Sequence, residues 1–361
     1  MLFISYSRED RATVAKLIEE LAAEGIPYVV DLDLAEGDPF WREVIANRLS
    51  HCHLMVCLAS ARADYSPWVE QEQRAFQGPK LRIAIGSASK SIPSHDSIST
   101  VPQDRAIRAI RKALGPHVCD SDTDRGSLQE RTQADARALL VLEEQRRLSF
   151  FLLSPPANFS LDVEGINGVI TNGFTELQVR SLPRPNETIF VTTLPITNRQ
   201  YRIFLGQTGY LQPPTWQRPN YCEDDAPVTG VNWFEAATFA AWIGGALLTE
   251  EEWIAAARGK ERTRTFATAT GLIDDAAAYF GNAFASGAPK LPISHPPNPE
   301  GFYGLCGNTW DWCATPKGPH RAILGGGYMD SATFCRIDAG YRNAPIDRDC
   351  CVGFRVKASV A

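Results

Sequence analysis

The chain carries two different rhythms of apolar and polar residues. Through the first hundred positions, short apolar runs alternate with helically spaced ones. The runs in "MLFISYS", "IPYVVDLD" and "HLMVCLAS" are brief and continuous, as strands buried on both faces require. After the first run, Val14, Leu17, Ile18 and Leu21 recur at i, i+3, i+4 and i+7, one face of a helix. Ser7 and Asp10 offer its start and Gly25 its stop. "WREVIANRLSHC" predicts a second helix ahead of the third strand. Strand and helix in alternation predict a parallel sheet covered on both faces.

A polar, turn-rich stretch, "CDSDTDRG", then marks a boundary. "SLQERTQADARALLVLEEQRRLSFFLL" follows as one helix, with a capping-box pattern at Ser127 and Glu130 and an apolar side of Leu128, Ala138, Leu139 and Leu142. It predicts a linking helix, with dimerisation as the alternative; the repeat is too short for a coiled coil. From Phe151 the rhythm changes, and glycine, proline, asparagine and tryptophan become frequent. Two short amphipathic helices stand out. "NWFEAATFAAWIGG" is capped by Asn232 with Glu235 three residues on, and "TEEEWIAAARG" by Thr249 with Glu252, stopping at Gly259. Trp233, Trp242 and Trp253 are expected to face a core. The remainder reads as short strands and long ordered loops.

Composition narrows the classes. At 361 residues the chain is too long for one ordinary core, so two domains are expected. A net charge of -6 without a Lys/Arg block argues against nucleic acid as the main partner. The longest apolar run, Phe234 to Leu248, is too short for a bilayer and contains Glu235, so no membrane partner is expected. The opening residues lack a signal-peptide pattern. Nine cysteines, odd in number and without a CxxC pair, argue against zinc and disulfides and for free thiols in a reducing, cytoplasmic setting. His51 and His53 flank Cys52, but strand alternation would set the histidines on one face and the thiol on the other, a surface arrangement rather than a ligand set.

"FISYSREDRATVAKLIEEL", "DLDLAEGDPFW" and "SPWVEQE", in this order and spacing, resemble a TIR domain over about residues 1–118. The resemblance implies a flavodoxin-like parallel sheet, self-association or partner association, and in some members cleavage of NAD. The glutamate essential to those members falls on Glu72, within Trp68-Val69-Glu70-Gln71-Glu72. Breaking the nicotinamide–ribose bond builds positive charge on the ribose, which a buried carboxylate stabilises. Trp68 offers a ring for stacking. The alternative is that Trp68 packs in the core and Glu72 is a solvated helix residue.

Residues 119–150 then form the linker with its helix, and 151–361 the second domain. There "LPITNRQYRIFLGQTGY", "APVTGVNWFEAATFAAW", "LLTEEEWIAAARG", "GNTWDW", "GGGY" and "GFRV" closely resemble the formylglycine-generating enzyme family, which implies an α+β variant of the C-type lectin fold. The family's oxidase holds copper(I) between two cysteines. Cys335 stands at the second position but Asp330 at the first, and a hard carboxylate is no substitute for a thiolate. Oxidase activity is therefore not expected of this domain. Calcium near "GNTWDW", with Asp311 as one ligand, is a further implication of the resemblance, although Gly304 stands where the family tends to offer asparagine.

The same fold and C-terminal frame resemble the variable proteins of diversity-generating retroelements, in which template adenines are replaced at random near the C-terminus. Such templates do not yield Lys, Glu, Gln, Trp or Met. Between Tyr328 and Val352 there is no Lys, Glu, Gln or Trp, and Met329, which alone breaks the rule, requires a different template codon. The resemblance divides the segment 325–356 into a frame and a variable set. Gly325, Gly326, Ala332, Arg336, Ala339, Arg342, Pro345, Arg348, Gly353, Phe354 and Arg355 form the frame, setting turns and burying hydrogen-bonded arginines. The variable, ligand-facing set is Tyr328, Met329, Asp330, Ser331, Thr333, Phe334, Ile337, Asp338, Tyr341, Asn343, Asp349, Cys350 and Cys351, with core packing as the alternative, especially for Ile337 and Phe334. The implied partner is a macromolecule of protein type.

Overall fold

A computed structural model describes the chain except residues 8–9, 31–48, 50–51, 61–66, 86–99, 115–121, 155, 186, 274–287 and 360–361. It divides into two compact units, Met1–Glu143 and Glu144–Ala361.

The first unit is built on β1 (Leu2–Ser5), β2 (Tyr28–Val30), β3 (Leu54–Ala59), β4 (Lys80–Ala84) and β5 (Thr100–Pro102), all parallel in the order β2-β1-β3-β4-β5. Alternation along β1 serves both faces. Leu2 and Ile4 join one core with α1 (Arg11–Ala23) and α3 (Ala106–Leu114); Phe3 joins another with Met55, Cys57 and Phe76, the last just beyond α2 (Pro67–Ala75). Gly25 ends α1 in the left-handed region at φ 69°, which lets the Ile26 amide reach back to the Leu21 carbonyl at 2.9 Å. Asp10 stands at the start of α1 but makes no side-chain cap; its Oδ2 accepts from the Ser60 hydroxyl at 2.6 Å instead. The expected helix "WREVIANRLSHC" lies outside the described residues apart from its end.

The predicted linking helix is α4 (Asp122–Leu153), and it is not a free connector. Ala136 and Leu139 are buried in the first core. The Tyr28 hydroxyl of β2 lies 3.0 Å from both the Thr132 hydroxyl and the Asp135 carboxylate, and Arg131 lies over the same ring. Since the helix already runs from Asp122, the Ser127–Glu130 pair falls in its interior and does not mark its start.

The second unit has two sheets. One is antiparallel in the order β10-β15-β9-β8-β7-β6, from β6 (Ser160–Glu164), β7 (Asn167–Thr171), β8 (Glu176–Pro183), β9 (Thr188–Thr192), β10 (Ala246–Leu247) and β15 (Val356–Ser359). The other runs β13-β12-β11-β14, from β11 (Trp310–Lys317), β12 (His320–Leu324), β13 (Tyr341–Asn343) and β14 (Val352–Phe354). Helices α6 (Trp233–Trp242) and α7 (Glu250–Arg258) start at Asn232 and Thr249, each closed by a reciprocal capping box with Glu235 and Glu252. Trp233, Trp242 and Trp253 are buried as expected. A further helix, α5 (Asn198–Thr208), uses the same device, Thr197 with Gln200, and its Tyr201 and Phe204 stack with Phe239 and Phe354 in an aromatic core.

Candidate functional site

The segment 325–356 is fixed by polar contacts before any ligand is considered. Gly325 and Gly326 take φ of 107° and 76°, and a Cβ on Gly326 would fall 2.7 Å from the Cys335 sulfur, so only glycine fits there. Arg355 is fully buried. Its Nε donates to Asp311 Oδ2 at 2.8 Å, and its other nitrogens reach the carbonyls of Thr192, Thr193 and Tyr303. Trp253 donates to the same Asp311 oxygen at 2.9 Å. Arg348 makes a bidentate pair with Glu235, at 3.0 and 2.7 Å, while the Pro345 and Asp349 carbonyls accept from the amides of Trp233 and Gly230. The loop 344–350 is thus tied to the start of α6. Arg336, Arg342 and Arg348 depart from the expected buried frame: all three are exposed, Arg336 pairing with its neighbour Asp338 at the surface and Arg348 reaching in to Glu235.

On this frame the structure gathers part of the expected variable set. Trp310, buried at the start of β11, is the floor. Phe334 and Tyr341 pack on it with ring centroids 6.4 and 6.2 Å away, and they remain 42% and 59% exposed. Met329 is 45% exposed, and Ser331, Thr333 and Asp338 are exposed as well. Asn343, Asp349 and Cys350 are half-buried. Asn343 and Asp349 turn their side chains onto local backbone amides, those of Ala344 and Cys351. Asp330 is half-buried and structural: one carboxylate oxygen accepts from Trp310 Nε1 at 2.7 Å and from the Gly327 amide at 2.8 Å.

Three of the expected ligand-facing residues point inward instead. Ile337 is in the core with Cys335 and Ala267, because its amide is anchored to the Thr265 carbonyl and that register turns the side chain in. Tyr328 is buried with its hydroxyl bonded to Tyr221 and directed at Cys350; burial and these bonds push its pKa well up. Cys351 is buried next to Gly327, and burial raises its thiol, with the Asp349 carboxylate adding to the shift. Cys350, in the same turn, is half-buried, so the two adjacent cysteines differ in exposure. Trp310 and Tyr221 were absent from the expected set. Trp310 sits in the quoted "GNTWDW" motif, but nothing in the sequence says which residues lie over it.

In the first unit, Glu72 belongs to α2 and is 8% exposed, so it is not a solvated helix residue. Its Oε2 accepts from the Ser5 hydroxyl at 2.7 Å, at the carboxyl end of β1. β1 has β2 on one side and β3 on the other, which makes this end the switch point where such sheets bind ligands. The Trp68 side chain and the "DLDLAEGDPFW" segment lie outside the described residues. His53 is exposed, and His51 also lies outside them.

The profile of the sulfatase-modifying factor enzyme 1-like domain matches residues 169–360, more than half of the chain. The chain belongs to this family. The profile of the TIR domain matches residues 2–87. Among curated relatives, the chain is 26% identical over 240 residues to the serine/threonine-protein kinase pkn1 of Chlamydia pneumoniae, covering 55% of this chain and 37% of that one. It is 28% identical over 178 residues to the formylglycine-generating enzyme of Streptomyces coelicolor, covering 39% and 57%. The chain therefore spans between about a third and somewhat over half of the length of these relatives. Among solved structures, variable protein 1 of Treponema denticola is similar at a TM-score of 0.43 and 15% identity, over 55% of this chain and all of that one.

Membership in the sulfatase-modifying factor family raises the question of metals, and the residues at the copper place do not fit one. At the copper place, Asp330 is committed to Trp310 and Gly327, and Cys335 is fully buried among apolar side chains. Cys306 lies beside it and donates to the Cys335 carbonyl at 3.7 Å; its bond with Cys335 and its burial push that thiol far up, away from thiolate. At the calcium place, the Arg355 guanidinium supplies the counter-charge to Asp311 at Oδ2, while Oδ1 is buried without a hydrogen-bond partner among the described residues and is the oxygen that a cation would use. Burial raises the Asp311 carboxyl against the pull of Arg355 and lowers Arg355 in turn, so desolvation governs both partners. Among the described residues no three His, Cys, Asp or Glu side chains converge as a metal cluster. None of their helices is long and apolar enough to cross a membrane.

Proposed function

We propose that this protein is a ligand-binding variable protein: a diversified surface on a lectin-type frame, coupled to a TIR module for association or signalling. The observation that carries the reading is the split within one segment. Phe334 and Tyr341 stand exposed against Trp310 and Met329 is exposed in the same segment, while Gly326, Phe354 and Arg355 of that segment are buried. Large aromatic side chains on a fixed backbone bind a protein surface with little ordering cost, and small polar neighbours adapt to it. The missing Lys, Glu, Gln and Trp between Tyr328 and Val352 support diversification through template adenines. The test is to sequence the neighbourhood of the gene and the gene itself across natural isolates. A reverse transcriptase and an adenine-differing near-copy of the gene's end are expected. Substitutions should concentrate at Met329, Ser331, Thr333, Phe334 and Tyr341. Substitutions scattered along the chain, with no near-copy nearby, would sink the reading.

The burial of Glu72 at the carboxyl end of β1 favours a second reading, NAD cleavage by the TIR unit under control of the lectin-type unit. In it Glu72, oriented by Ser5, stabilises the ribose cation as the nicotinamide bond breaks.

A further inference from the structure

Seven of the fourteen exposed large apolar side chains among the described residues fall between positions 150 and 174. Three of them, Phe159, Val163 and Ile166, lie on or next to the β6–β7 hairpin, and Phe174 stacks on Trp242 close by Asn172, whose amide donates to the Trp242 carbonyl. Isolated apolar residues on a surface are ordinary, and what sets this stretch apart is that three of them sit at a hairpin on the edge of the sheet.

β6 is the outer strand of the six-stranded sheet. It pairs with β7 over five residues in unbroken register, from Ser160↔Thr171 to Glu164↔Asn167. Gly165, at φ 62°, and Ile166 form the two-residue turn between them. In an antiparallel pair closed by such a turn, alternate residues bond to the neighbour and those between present N–H and C=O to the other side. Glu164, Asp162 and Ser160 are then the bonded residues, and Leu161 and Val163 offer their peptide groups to the free edge. Side chains divide with the same period. Leu161 and Val163 share one face with Ile170 and Gly168, and Asp162 and Glu164 share the other.

Natural edge strands are blunted by lysine, proline, a bulge or extreme shortness. β6 has none of these; its only guards are two acidic residues. Those acids decide the occupant. A second copy docking β6 against β6, antiparallel about Val163, would set Asp162 against Glu164 twice, and like charges directly opposite destabilise a sheet. Centring the pair on Asp162 sets that carboxylate against itself. A copy centred on Leu161 escapes that repulsion but sets only Ser160 against Asp162, whereas a strand with cations at these two positions gains an ion pair at each.

We propose that β6 is a docking edge for an extended segment of another protein, with lysine or arginine opposite Asp162 and Glu164 and apolar side chains opposite Leu161 and Val163. The edge lies in the other sheet from the Trp310 surface, so the inference does not rest on ligand diversification.

The probe is a short labelled peptide alternating lysine and valine, followed by fluorescence anisotropy with the full chain. Saturable binding is expected, weakened about tenfold by Asp162→Lys with Glu164→Lys. Methylating alternate backbone nitrogens of the peptide should abolish binding, because strand addition needs those donors. That comparison uses the unaltered protein, so it decides the matter even if the charge-reversed variant folds poorly. A glutamate–valine peptide should bind only the charge-reversed protein. Equal binding of the methylated peptide would reduce the effect to attraction by an acidic surface and overturn the proposal, as would no binding of the lysine–valine peptide. A dimer in sedimentation that Val163→Lys dissociates would assign the edge to a second copy and equally overturn it.

Discussion

Single residues within 325–356 play opposite parts although they look alike in sequence. Ile337 and Tyr341 are both large and apolar in character, four positions apart, yet one is sealed in the core and the other is more than half exposed. Ile337→Ala is expected to cost about 2–5 kcal/mol through loss of packing and the cavity left behind. Tyr341→Ala should stay within about 0.5 kcal/mol, as surface changes do. Chemical denaturation of the two variants checks the division; a large loss on Tyr341→Ala would make that side chain part of the core. Arg355 is likewise sealed in the core. Replacing it with methionine strands the buried Asp311 carboxylate, and a loss of about 3–5 kcal/mol is expected. Asp311→Asn combined with Arg355→Met should lose much less than the sum of the single changes, since the double variant leaves no buried charge unpaired.

Elements in the second unit begin at reciprocal caps, and one of these carries a pH signature. Glu252 closes the cap of α7 and also accepts from Lys357 of β15. Burial pushes its carboxyl up, but the Lys357 bond and the Thr249 amide outweigh burial and hold it below the ordinary carboxylate range. The folded pKa is depressed, so the pair stabilises at neutral pH and that contribution disappears as pH falls through the folded value. Lys357→Met is therefore expected to lose about 2 kcal/mol at neutral pH. The difference from the parent should close in acid below the carboxylate range. A gap of unchanged size at low pH would show that Lys357 acts by packing of its stem. Elements with a cap and a helical stripe, such as α6 and α7, were legible in the sequence. α5 carries the same Thr-x-x-Gln signal at Thr197 and Gln200, and reading that cap would have found it. α4 starts ahead of Ser127; Ser127 and Glu130 fit a capping box by composition alone, and the docking of Tyr28 against Thr132 and Asp135 cannot be read from spacing.

At the scale of the whole molecule, the chain divides into two units of different architecture. If the TIR unit cleaves NAD, Glu72→Ala should abolish nicotinamide release in a chromatographic assay of clustered protein. Tyr341→Ala should leave the uncoupled rate unchanged. Parent protein that leaves NAD intact when clustered would remove the catalytic reading and leave association as the unit's role. The sequence by itself determined the two-unit plan, the parallel sheet of the first, the short capped helices of the second and the Gly-rich frame near the C-terminus. These rest on local rules: period, caps, and the backbone freedom of glycine. Only the tertiary structure decided which members of that frame's interior face solvent. It turned Tyr328, Ile337 and Cys351 inward, set Phe334 and Tyr341 over Trp310, and tied Asp330 to an indole. Side-chain direction in irregular loops is fixed by which distant amide or carbonyl anchors the backbone, as the Thr265 carbonyl anchors Ile337, and a pairing across seventy residues leaves no periodic trace in the chain.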